Sequence, residues 1–179
     1  INDALIRRLL KLGEDGAALK AINGAIALKP DDAYFYELKG QILLENGKPE
    51  MAIGPYADAV RLRPQEVLLR LGLGQAQVSA TSEEYLGAAL ANLQRAIQLS
   101  PRDANAWRWL AMAYGRKDDI PNASLATAER YILLGRYRDA IGQAEDLVEV
   151  FGDHQHADRC QPNRYKNRIA EFDHVCRHP

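Results

Sequence analysis

The chain repeats itself, and that repetition limits what it can fold into more than any other feature. Pro30, Pro64 and Pro101 share one register. Ala18, Ala52, Ala89 and Ala123 share a second, Ala25, Ala59 and Ala96 a third, and Gly40, Gly74 and Ala111 a fourth. The steps are 34 residues and then 37, and the longest alanine series returns to 34. A single three-residue insertion within Ser79–Leu86 reconciles all four series. A period of this length marks a supersecondary unit that cannot bury its apolar face alone, so neighbouring units must stack.

The period and the small-residue positions resemble the tetratricopeptide (TPR) pattern. One unit supplies Tyr36, Gly40, Ala52, Tyr56, Ala59 and Pro64, and another Trp107, Leu110, Ala111, Tyr114 and Ala123. The physical reading is a pair of antiparallel helices, which approach closely only where side chains are small. Gly40 and Ala52 are expected at that crossing, with Tyr36 and Tyr56 filling the wider gaps. Pro64 is expected to end the second helix, since it has no N–H to continue the ladder. The fold class implied is all-α: a TPR-like antiparallel helix-pair solenoid forming a right-handed superhelical stack.

Local signals agree with paired helices. Asp32 and Asp103 stand where N-caps belong. Pro49 and Pro121 suit the first turn of second helices. The stretch "TSEE" reads as a capping box, with Thr81 as the cap and Glu84 reaching back. Pro55 falls inside a helix, where a bend is expected. The first unit is short, with helices over Ile1–Leu12 and Ala17–Leu28. The last is irregular: Ser124–Leu134 is expected to partner the Ala104–Arg116 helix and also to open the next unit, whose second helix is Tyr137–Phe151. The repeat domain therefore spans 1–151, about four units with the first truncated and the last fused, and 152–179 forms a separate tail.

Composition bounds the function. At 179 residues, 47% hydrophobic and 26% charged, the chain matches a globular protein with a real core. A net charge of −1 argues against a nucleic-acid binder, which would carry a basic excess. No apolar run reaches the roughly 18 residues of a membrane span. The chain opens on Ile1 within a helical pattern, without a signal-peptide pattern, and is read as a piece of something longer. It has no phosphate-binding loop or nucleophile elbow; the glycines of "GLGQ" (Gly72–Gln75) follow no strand and suit helix crossings better.

By resemblance to stacked TPR units, the first helices line a concave groove. The groove-facing offsets fall on Asp3 and Arg7; on Tyr34, Glu37 and Gln41; on Leu68, Leu71 and Gln75; and on Asn105, Arg108, Trp109, Met112 and Arg116. Aromatic, Met and Arg side chains are enriched at binding hot spots, although Trp109 could equally pack into the core. The implied partners are proteins or peptides. TPR domains that grip an acidic C-terminus carry Lys, Asn and Arg at offsets that here hold Glu37, Gln41 and Gly72, so that clamp is not expected.

Two longer stretches, "YFYELKGQILLENGKPEMAIGPYADAVRLRP" and "AWRWLAMAYGRKDDIPNASLATAERYILLGRYRDAIGQAEDL", carry a closer resemblance over most of Asp15–Val150. They are similar to the C-terminal TPR region of bacterial periplasmic zinc metallopeptidases related to the CAAX prenyl-protein and envelope quality-control proteases. In that family a separate N-terminal domain holds an H-E-x-x-H zinc helix. No histidine precedes Phe151 here, so no catalytic residue and no zinc carries over. What the resemblance implies is a non-catalytic region that docks substrates or partners, or packs on the protease domain, in the periplasm. The rival reading is a generic TPR scaffold of an unrelated multidomain protein, with the cytoplasm as the alternative location.

All four histidines and both cysteines lie in the tail. His154, His156, Cys160, His174, Cys176 and His178 are zinc-ligand types, but their spacing matches no standard finger. Cys160 and Cys176 could instead form a disulfide, closing a loop worth about 3 kcal/mol. In a third reading, Tyr165, Ile169, Phe172 and Cys176 recur at helical spacing and cap the end of the repeat array.

Overall fold

A computed structural model of the chain describes residues 3–151. The chain divides into two compact units, the first running through Pro101 and the second beginning at Arg102. Residues 152–179, with the candidate zinc ligands, the disulfide and the capping helix expected there, lie outside the described residues.

Described residues of the first unit form six α-helices: α1 (Asp3–Lys11), α2 (Asp15–Leu28), α3 (Ala33–Glu45), α4 (Pro49–Leu62), α5 (Val67–Ser79) and α6 (Leu86–Leu99). A single 3-10 turn, Glu83–Tyr85, precedes α6. The second unit holds α7 (Ala104–Arg116), α8 (Ile120–Leu133) and α9 (Tyr137–Phe151). No strand occurs among the described residues.

One backbone device closes most first-to-second-helix turns. Gly13, Gly47 and Asp118 adopt positive φ values of 71, 66 and 55°. After each, an amide reaches back five residues: Glu14 to Leu9, Lys48 to Leu43 and Asp119 to Tyr114, at 2.9–3.0 Å. This left-handed cap satisfies carbonyls that a helix end leaves open. The same device recurs at Gly135, where Arg136 N–H reaches the Tyr131 carbonyl at 2.8 Å. Gly135 follows Asp118 by 17 residues, half a period. α8 packs against both α7 and α9, as α4 does against α3 and α5.

The return turns repeat as well. Lys29, Arg63 and Ser100 each precede a proline, take φ near −135 to −140° and ψ of 73 to 82°, and donate to Ala25, Ala59 and Ala96. A proline keeps its predecessor out of the helical region, which is why each second helix stops at one point of the repeat. The expected caps hold. Asp32 accepts from the Tyr34 amide, and Asp103 from those of Asn105 and Ala106.

The insertion is capped differently from the sequence reading. Ser82, not Thr81, accepts from the Glu84 amide. Thr81 instead donates its amide to Glu50 Oε1 at 2.8 Å, from the loop to the first turn of α4. That bond, foremost, and then Glu50's own amide hold the Glu50 carboxyl below its ordinary value. The three extra residues displace the left-handed turn, and a carboxylate from the preceding repeat takes up the amide. At Pro55, α4 continues as one helix. Pro55 cannot donate to the Met51 carbonyl, but Met51 is exposed, so water can serve it.

Packing follows the alanine registers. Ala18, Ala52 and Ala89, with Ala25, Ala59 and Ala96, are all buried. Gly40 of α3 faces its partner helix α4, as its register suggested. A methyl there would lie 2.7 Å from the Tyr56 ring, and one at Gly72 would strike the opposite edge of the same ring. Tyr56 of α4 thus occupies a slot between glycines of α3 and α5. Gly74 makes similar room for Leu93 of α6. Polar groups between α5 and α6 are matched: Asn92 donates to buried Gln77 at 3.1 Å and accepts from Arg70 at 3.2 Å.

Gly72→Ala should overpack the Tyr56 slot and cost about 1–3 kcal/mol, read as a fall in the urea midpoint. Gly142→Ala, with nothing near its added methyl, should leave stability unchanged or raise it by up to ~1 kcal/mol.

Candidate functional site

Within the first unit, α1 and α3 form a cleft of about 310 Å³ lined by Arg7, Tyr34, Glu37, Leu38 and Gln41. The last four lie at i, i+3, i+4 and i+7 of α3, which sets them on one helical face. Arg7 of α1 is one period of 34 before Gln41. The repeat therefore aims residues of equivalent offset at one space. Four of the groove residues read from the sequence, Arg7, Tyr34, Glu37 and Gln41, are brought together here. Leu38 was missed, although its spacing from Tyr34 carried the signal.

The wall chemistry is mixed. Arg7 Nη2 donates to the Tyr34 hydroxyl at 3.4 Å. The Tyr34 ring meets Phe35 edge-on, with centroids 5.5 Å apart, and Tyr34 and Leu38 pack against the core of Ile6, Ile22 and Phe35. Gln41 Nε2 donates to Glu45 at 2.9 Å. Glu37 is half-buried, and burial first, then the like charge of Glu66, pushes its carboxyl above the ordinary value. Glu66 belongs to the turn before α5 and carried no sequence signal. Behind the cleft, burial first, and then Glu37 and Glu45, push the Tyr56 phenol up to about 12.

The remaining candidates are placed individually. On α5, Leu68 is 61% exposed and Gln75 half-buried, but Leu71 is only 6% exposed. The offset that faces the cleft on α3 is interior on α5, because α5 packs against α3, α4 and α6. On α7 of the second unit, Asn105, Arg108 and Met112 are exposed and Arg116 half-buried. Trp109 is 8% exposed, which corrects its reading as a presented hot spot: it fills core, with the Arg108 guanidinium 5.2 Å from its ring centroid. Among the described residues, no group of three or more His, Cys, Asp or Glu side chains is placed to hold a metal. No helix among them is long and apolar enough to cross a membrane.

A sequence model of the tetratricopeptide repeat matches residues 4–67, which contain the whole cleft. No curated protein matches the chain. Solved structures do. A MamA fragment from Desulfovibrio magneticus superposes with a TM-score of 0.67 at 16% identity, covering 85% of this chain and 94% of that one. A thermophilic TPR protein from Thermus thermophilus gives 0.53 at 22% identity, over 94% and 95% of the two chains. YrrB, described as a TPR protein with an unusual peptide-binding site, gives 0.58 at 19% identity, over 87% and 89%. At such identities the likeness is one of fold. Family match, repeat arithmetic and helix pairing agree: the chain contains a tetratricopeptide-repeat region, and its fold is the all-α, TPR-like helix-pair solenoid.

Proposed function

We propose that this chain is a non-catalytic interaction module that holds protein or peptide partners along the first-helix face of its repeats. The observation that carries the reading is the cleft in which Arg7, Tyr34, Glu37 and Gln41 converge from consecutive repeats. It offers apolar wall, hydrogen-bonding groups and charge in one concavity, the composition of a recognition site. YrrB, a protein of like fold, is described as having a peptide-binding site, and that supports peptide as the class of partner here.

The finer reading is that the module is the C-terminal docking region of a bacterial envelope zinc metallopeptidase, held in the periplasm, with zinc confined to the protease domain. It rests on the stretches Tyr34–Pro64 and Ala106–Leu147. The alternative is a scaffold in an unrelated multidomain protein.

Two measurements bear on these readings. A photo-crosslinking side chain at Gln41, in the cleft, should give partner adducts that the same group at Ala57, on the exposed face of α4, does not. Adducts from Ala57 alone would move the interaction off the groove. Reading the gene upstream should reveal a signal peptide and an H-E-x-x-H; a continuous open frame with neither removes the metallopeptidase reading.

A further inference from the structure

Glu37 is the one group of the cleft whose charge the fold leaves unanswered. Among the described residues its carboxylate has no hydrogen-bond or ion-pair partner, although it is half-buried and lines the concavity. Its charged neighbour from the α5 side is Glu66, which repels it. On its own helix, Glu45 is engaged by Gln41. The cation across the cleft, Arg7, directs Nη2 to the Tyr34 hydroxyl and forms no ion pair with Glu37. Partial burial of an unpaired carboxylate opposes folding. A ligand that supplied a cation would offset that cost.

The rest of the cleft restricts what that cation can be attached to. A space of about 310 Å³ is at the small end of ligand sites, enough for one long side chain and its adjoining backbone. Tyr34 and Leu38 provide an apolar wall for a methylene stem, which lysine and arginine carry behind their charged heads. Arg7, on the facing wall, is a donor suited to a peptide carbonyl. Opposed charges on the two walls would also fix the direction in which a chain lies.

We propose that the cleft receives a lysine or arginine side chain of an extended peptide, its head on the Glu37 carboxylate and its stem along Tyr34 and Leu38. This rests on the groove being a peptide site and names the chemistry of the residue it selects. It also runs opposite to a TPR clamp for acidic C-termini.

The test uses the full chain, isotope-labelled for NMR, and three short capped peptides that differ only in a central Lys, Gln or Glu between leucines. The Lys peptide should shift the α3 amides around Tyr34–Gln41 saturably and bind about tenfold more tightly than the Gln peptide, the scale of one charge-assisted hydrogen bond. Glu37→Gln should abolish that preference. The variant should also keep its fold: because the folded state disfavours the ionised carboxyl, it should melt no lower than wild type at neutral pH. That margin should shrink as the pH falls and Glu37 takes up its proton. Equal binding of the Lys and Gln peptides at α3, tighter binding of the Glu peptide, or a Lys preference that survives Glu37→Gln would overturn the cationic selection while leaving the groove as a peptide site. Silence of the α3 amides to all three peptides would overturn both.

Discussion

The first unit depends on one aromatic ring. Tyr56 of α4 fills the space that Gly40 of α3 and Gly72 of α5 leave empty, so three successive helices meet on a single side chain. Its ring sets how near those helices come, since neither backbone can close further and neither glycine could carry a methyl without displacing it. Gly40, the α3 residue against Tyr56, follows the cleft residue Glu37 by three positions, so the ring seats α3 on a face adjoining the one that looks to α1. The same seating raises the phenol's pKa, first by burying it and then by bringing it near Glu37 and Glu45, so core packing and groove electrostatics share one residue.

Much of this was legible in the chain because the repeat is arithmetic. Alanine and proline registers fixed the helix pairs, and Asp32 and Asp103 became caps because local hydrogen bonding needs no tertiary context. What the sequence hid was depth. An offset says which way a side chain leaves its helix but not how many neighbours stand there. Leu71 and Trp109 have groove offsets and are nonetheless buried, whereas Leu68 and Met112 on the same helices are exposed.

The insertion shows the other limit. "TSEE" has the spacing of a capping box, and such a box is a local motif. Here the Thr81 amide is taken by Glu50, thirty-one residues earlier, and Ser82 inherits the cap. No local pattern could reveal this, because the partner comes from the preceding repeat. Glu66 acts on Glu37 by the same kind of long-range placement. The chemistry of the cleft therefore depends on residues that no groove offset would select.

Between α7 and α9, α8 is covered more fully than α4 is between α3 and α5. On α4, five positions from Glu50 to Arg61 are open to solvent, among them Met51, Gly54 and Ala57, whereas on α8 every residue except Ile120 is at least partly covered. Both helices pack against two neighbours, and α8 keeps less open face than α4 does. Substitutions that drift freely across the outer side of α4 would each meet a neighbour on α8. The place where the repeat pattern looks most degenerate thus leaves less outer surface free to change than the regular helix α4 does.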